Sequence, residues 1–336
     1  MATLAISGLT AKGRYMATGS SIEILDLRHF TAPVMRSVLE AEGVVWNQRL
    51  RWDFGASIKL LMQYLDNRML PGFAALDAGR AIGYTFCVYE ESKAVIGDVF
   101  AACADDHKIE QTLLRHLFEL LLNSPQVDRI ESQLLLHPSG VHADLFRDAG
   151  FQVFRRLFMV RSLAGLPAPP HVTLPVELEL RSWRDEDLTP AGRLIVEAYR
   201  DHPDSIINDQ YRSAHGALRF LHNIVRYAGC GVFSAPASYV VVERYSRDLI
   251  AVVLGSRVSK QSGHITQVCV HPHYRRCGLA RQLLSLAANS FLQQGASEIS
   301  LTVTDANSMA VDLYLTEGYT CAHTFDAAVW QREDAD

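Results

Sequence analysis

The sequence predicts an α/β (α+β) chain built from two copies of one unit, and three observations carry that prediction. The order of strand-like and helix-like segments before residue 166 returns after residue 175. Between the two runs, Leu166-Pro167-Ala168-Pro169-Pro170, with Pro175 close behind, breaks every periodicity as a linker does. The chain of 336 residues, 49% hydrophobic and 21% charged, has more material than one small core needs.

The first copy is expected over residues 21–165, after a loose, Gly- and Ser-containing arm at 1–20. Ile22 to Leu25 alternates as a strand. Helical stretches follow at Ala32 to Glu42 and Ala56 to Asn67, and Pro71-Gly72 stops the second. Three strand candidates come next, Phe73 to Leu76, Ala81 to Tyr89 and Ala94 to Ala102, joined by segments short enough for an antiparallel meander. A helix at Ile109 to Leu122, a strand from Arg129, a short helix ending at Ala149-Gly150-Phe151 and a last strand to Leu163 complete the copy.

The second copy, expected over 176–336 after a linker at 166–175, repeats this order. Val176 to Leu180 is a strand, and Leu188 to Tyr199 and Ala214 to Tyr227 are helices. Tyr239 to Glu243, Leu249 to Val258 and His264 to Val270 are strands with short turns between them. A helix follows from Gly278, with Leu279, Leu283, Leu284, Ala287, Ala288, Phe291 and Leu292 at three- and four-residue spacing. Gly295 ends it, and Glu298 to Thr304, a short helix and a strand to Trp330 close the copy.

The loop at Arg275-Arg276-Cys277-Gly278-Leu279-Ala280 has the R-x-x-G-x-A pattern at a helix start. Open backbone N–H groups and the positive end of the helix dipole converge there, which suits a pyrophosphate. Downstream, Asp305 or Asn307 starts a short helix, and Leu313-Tyr314 precedes Glu317-Gly318-Tyr319. Together, over about residues 238–324, these features resemble the GCN5-related N-acetyltransferase (GNAT) family. The resemblance implies two tandem GNAT-like domains, each a mixed, mostly antiparallel sheet flanked by helices.

It also implies acetyl-CoA as donor and a primary amine of a small molecule or peptide as acceptor, attacked directly in a ternary complex. On the family's pattern Val270, with Val268 and Cys269 nearby, supplies the backbone N–H that meets the thioester oxygen. Arg275 to Ala280 holds the pyrophosphate, and Arg276 adds a charge. Tyr314 stands in the place of the general acid, and Asn307 in that of the residue that bonds the pantetheine arm or orders its turn. His264 stands where related enzymes carry a base, although a histidine at a strand start also serves structure alone. Asp204 and Glu243 are the other candidates. Asp204, Asn208, Tyr211 and Glu243 are the expected acceptor contacts, the first three in the polar run from Asp201 to Arg212.

In the first copy Phe146 takes the place of Tyr314, and the segment Cys103 to Lys108 has Asp105-Asp106 and no glycine. That copy is expected to have kept the architecture and lost the cofactor. The competing reading is a non-catalytic acyl-CoA-binding or regulatory protein, which needs the loop but not Tyr314.

Composition excludes other classes. A net charge of −5 without a long basic run argues against a nucleic-acid or anionic-membrane surface. The six cysteines form no C-x-x-C pair, and His271 and His273 have no third ligand in pattern, so no metal site is expected. Reduced thiols and the lack of a signal-like or membrane-spanning apolar run point to a cytoplasmic protein. A monomer or a homodimer is expected.

Overall fold

A computed structural model describes residues 14–17, 20–103, 107–166, 174–226 and 231–333. Asp105-Asp106, most of the Pro-rich stretch and Cys230 lie outside those residues. Packing divides the chain into two compact units, one ending at Glu42 and resuming over Ile58–Ile130, the other made of Gly43–Ser57 and Glu131–Asp336.

The first unit is an antiparallel meander. Its strands β1 (Arg14–Ala17), β2 (Ser20–Asp26), β3 (Gly72–Asp77), β4 (Arg80–Glu90) and β5 (Lys93–Ala101) pair in chain order. Arg14–Ala17 therefore corrects the expected loose arm: this part of it is a strand paired with β2. Helix α1 (Ala32–Leu50) runs past Gly43 because the buried stripe of Met35, Leu39 and Glu42 continues through Trp46 and Leu50. Helices α2 (Gly55–Asp66) and α3 (Lys108–Leu122) follow, and α3 buries Leu113, Leu117 and Leu121 along one face. Strand β6 (Arg129–Gln133), helix α4 (Ala143–Asp148) and strand β7 (Gln152–Ser162) come next.

The remaining elements are β8 (Leu178–Ser182), α5 (Leu188–Ala198), α6 (Asp204–Ile207), α7 (Ala214–Arg226), β9 (Val232–Phe233), β10 (Tyr239–Glu243), β11 (Leu249–Arg257), β12 (Ser262–Val270), α8 (Leu279–Gln293), β13 (Glu298–Thr304), α9 (Ser308–Thr316) and β14 (Thr320–Gln331). In the second unit the sheet order is β14-β7-β13-β12-β11-β10-β8. Only β12 and β13 in this run are parallel, so the sheet is mixed and mostly antiparallel.

Strand β7 lies between β13 and β14 and pairs with both. This insertion is why the compact units do not divide at the Pro-rich stretch: residues 131–162 belong with the later strands.

Both faces of this sheet are covered. Along β10 and β11, Val241, Ala251 and Val253 face a core shared with α8, while Val240, Val242, Val252 and Leu254 face one shared with α5 and α7. Helix α8 sits close to the sheet because Gly255 and Gly263 leave room for Phe291. A Cβ on either glycine would come within 2.8 or 2.7 Å of that ring. The α8 stripe is buried as expected from Leu279 to Phe291, but Leu292 is 38% exposed at its far end. Among the described residues no helix is long and apolar enough to cross a membrane.

Candidate active site

A cavity of about 690 Å³ opens in the second unit where β12 and β13 separate. The two strands pair only from Ser262↔Glu298 to Ile265↔Leu301. The register of β12 against β11 then skips Thr266, since Leu254 pairs with Gln267 and Gly255 with Ile265. This bulge bends β12 away, and Val268 to Val270 and Leu301 to Val303 line the gap. It also reverses the alternation of side chains. Ile265 shares the α8-side core with Val268 and Val270, so His264 lies on the opposite face from those two valines.

The backbone at the end of β12 distinguishes the three residues expected near the thioester oxygen. The His271 N–H donates to Ile250 O at 2.8 Å, so by alternation the Cys269 amide also points to β11 and those of Val268 and Val270 point into the gap. Gln267 Oε1 accepts the Val268 N–H at 2.9 Å, leaving Val270 as the amide presented there. Cys269 instead packs toward α5 and α7, and burial pushes its thiol up to about 12.

The loop is shaped by two left-handed residues, Arg276 (φ 62°) and Gly278 (φ 79°), the second being the N-cap of α8. That φ favours glycine. A Cβ on Gly278 would meet nothing within 4 Å, no side chain caps the helix, and its first turn carries no acid. An open, uncapped helix N-terminus of this kind fits a pyrophosphate. Arg275 is occupied otherwise: its Nη2 donates to Ala198 O at 2.7 Å and its Nε to Val270 O at 3.4 Å, tying the loop to α5 and β12. Arg276, Gly278, Leu279 and Ala280 line the cavity with it; Cys277 is exposed, its thiol 3.5 Å from Arg275 O.

Tyr314 lines the cavity from α9 and is buried. Burial, with the Asp204 carboxylate adding to it, raises its hydroxyl well above the ordinary tyrosine range, and the Arg156 guanidinium works against this. The group stays protonated and can give a proton. Asn307 caps α9, its Oδ1 accepting from Ala310 N at 3.3 Å, while its Nδ2 lies 3.2 Å from His202 Nε2. The helix-start reading of Asn307 is therefore realised at the cavity wall.

His264 is buried between Trp52 and Phe158, with ring centroids 4.9 and 6.2 Å away. Ser300 Oγ donates to Gly263 O at 3.1 Å, so it accepts from His264 Nδ1–H at 2.9 Å. Burial lowers the ring to about 3. A ring so reluctant to take a proton is a weak base at neutral pH, which weighs against the expected base role. Asp204, also buried, accepts a hydrogen bond from the Thr304 hydroxyl and lines the cavity with Asn208 and Tyr211.

Glu243 does not join them. Its exposed carboxylate accepts from the backbone N–H groups of Tyr245 and Ser246 at 3.1 and 2.5 Å and caps the turn between β10 and β11. Its sequence position, four residues after Tyr239 on a buried strand, carried no sign that it closes a turn.

Among the cavity residues that the sequence did not single out, four are joined by hydrogen bonds to one another or to the acceptor-side residues. Tyr199 donates to Gln267 Oε1 at 2.9 Å. Gln133 bridges two others, donating to Asn208 Oδ1 at 3.0 Å and accepting from Arg156 Nη1 at 2.7 Å. Gln133 and Arg156 come from β6 and β7, more than a hundred residues before the loop. No local spacing connects them to it.

Residues 179–319 match the family model described as Acetyltransferase (GNAT) family. The fold resembles that of a GCN5-related N-acetyltransferase from Sphaerobacter thermophilus, at 14% identity and a TM-score of 0.66 over 94% of this chain and 97% of that one. It also resembles a tandem GNAT protein of the clavulanic acid biosynthesis pathway, at 12% identity and 0.59 over 94% and 100%. A third similar structure is the glucosamine N-acetyltransferase region of a fungal multi-domain β-N-acetylglucosaminidase, at 13% identity and 0.63 over 93% of this chain and 38% of that one. Residues 179–319 thus match the GNAT family's domain, and over nearly its full length the chain has the fold of GNAT acetyltransferases, a tandem one among them.

Proposed function

We propose that the protein is an acetyl-CoA-dependent N-acetyltransferase that acetylates a primary amine of a small molecule or peptide by direct attack in a ternary complex. The observation that carries this reading is the gap between β12 and β13, with the Val270 N–H at one side, Tyr314 at another and the open N-terminus of α8 beyond. Acetyl-CoA supplies an acyl group activated as a thioester.

The first-turn amides of α8 hold the pyrophosphate. The Val270 N–H stabilises negative charge on the carbonyl oxygen, and Tyr314 protonates the departing thiolate. Asp204 is the better candidate to take the amine proton, because it is a carboxylate in the cavity whereas His264 is held neutral and Glu243 lies elsewhere. Asn208 and Tyr211 complete the acceptor side. A Cys-linked acyl intermediate is not supported, since burial keeps Cys269 as an unreactive thiol.

We read residues 21–165 and 176–336 as two copies of one unit, the first without a working site. Phe146 and Phe151 meet edge-on at 5.1 Å as Tyr314 and Tyr319 do at 5.8 Å, and in both pairs the second residue's N–H donates to the first residue's carbonyl at 3.0 Å. The first pair lacks the hydroxyl that gives the proton. Calorimetry with CoA and thiol release from acetyl-CoA with a panel of amines test the reading. One CoA per chain and amine-dependent release are expected. Tight CoA binding with no release from any amine would leave a binding protein.

A further inference from the structure

Arg156 is a buried cation with no counter-ion among the described residues. It lies on β7, is 7% exposed and lines the cavity. Its Nη1 donates to Gln133 Oε1 at 2.7 Å, its Nε has no partner, and the guanidinium stands 5.9 Å from the Phe325 ring centre. Among the described residues no carboxylate lies within 4 Å of it. An arginine does not shed its proton to escape such a site, so the charge persists wherever the fold puts it. Buried charges are ordinarily paired, and this one faces a cavity.

The position of the second charge narrows what could pair with it. Arg156 is the direct cross-strand partner of Thr304, and the Thr304 hydroxyl donates to Asp204. The cavity thus carries a cation and an anion on either side of one strand position, not bonded to each other. Both act on the Tyr314 hydroxyl, in opposite directions. The free edge of the guanidinium, Nε with Nη2, is the fork that a carboxylate fits with two parallel hydrogen bonds.

We propose that the acceptor is an amino carboxylate, its carboxylate held by Arg156 and its amine directed to Asp204 beside Tyr314. This rests on the acetyltransferase reading for the reaction but not for the anion site itself. Gln133, which holds both Arg156 and Asn208, is then a positioning residue that couples the anion site to the acceptor loop.

The test uses the full chain, saturated with acetyl-CoA or CoA, and matched pairs of glycine, leucine, phenylalanine, glutamate and lysine with their α-carboxamides. Thiol release gives kcat/KM, and thermal shift of the CoA complex gives binding without turnover. At least one acid should outperform its amide by about thirtyfold or more, the loss expected when a buried charge pair is missing one partner. Arg156→Gln should remove that preference and leave CoA affinity close to wild type. Arg156→Lys, which keeps the charge but not the fork, should recover only part of it. If no acid exceeds its amide in either readout, or if Arg156→Gln keeps the preference, the proposal falls. Amides acetylated as well as acids would overturn the anion site while the acetyltransferase reading stands. Acids that stabilise the CoA complex through Arg156 with no thiol release from any amine would do the reverse.

Discussion

In the proposed mechanism Tyr314 delivers the proton, and its burial has a measurable consequence. With the hydroxyl raised well above its usual range, it does not titrate near neutrality, and no alkaline loss of activity below about pH 10 should trace to it. Tyr314→Phe keeps the ring and removes the proton. The catalytic constant should fall about a hundredfold with acetyl-CoA affinity unchanged, as single-turnover kinetics would report. An unchanged chemical step would reduce Tyr314 to packing. His264 makes a prediction about stability instead. The folded ring resists protonation down to about 3, whereas the unfolded ring takes a proton below about 6.5. The unfolded state therefore binds more protons in that window, and stability falls as pH drops through it, by on the order of 5 kcal/mol in all. Denaturant titrations of His264→Gln between pH 7 and 4 should show a flatter dependence than wild type. A parallel slope would mean that the ring is not the titrating group.

At the scale of elements, the site depends on two departures from regularity. The bulge at Thr266 separates β12 from β13, and the left-handed Gly278 turns the chain into α8 with its first N–H groups open. Both are local and both leave the core of α8 undisturbed. Gly278→Glu should for that reason fold and fail to bind CoA. It places a carboxylate where the proposed mechanism puts the pyrophosphate and asks a non-glycine residue to adopt φ 79°, so affinity should drop at least about a hundredfold in calorimetry, the cost of opposed like charges. Normal affinity would move the pyrophosphate elsewhere. These elements were legible in advance because each rests on neighbours a few residues apart: the α8 stripe, the Gly278 loop and the cap at Asn307. The bulge turned His264 onto the face opposite to Val268 and Val270.

Across the whole molecule, β7 ties the early part of the chain to the late part. It completes the sheet between β13 and β14 and brings Arg156 to the cavity, with Gln133 arriving from β6. Residues 176–336 produced alone would leave β13 and β14 without β7 and lack both side chains. That fragment should aggregate or remain unfolded, as circular dichroism and gel filtration would show; a folded monomer that binds CoA would contradict this. By itself the sequence determined the fold class and the order of elements, and it located the Gly278 turn and Tyr314 that the proposed mechanism uses, since periodicity and short motifs are properties of adjacent residues. Only the tertiary structure decided which strand lies beside β13, that Glu243 caps a turn, and that Arg156 from β7 lines the cavity with no carboxylate against it among the described residues. Strand partners and buried charges are chosen by pairing across long stretches of chain, and spacing along the sequence does not encode that choice.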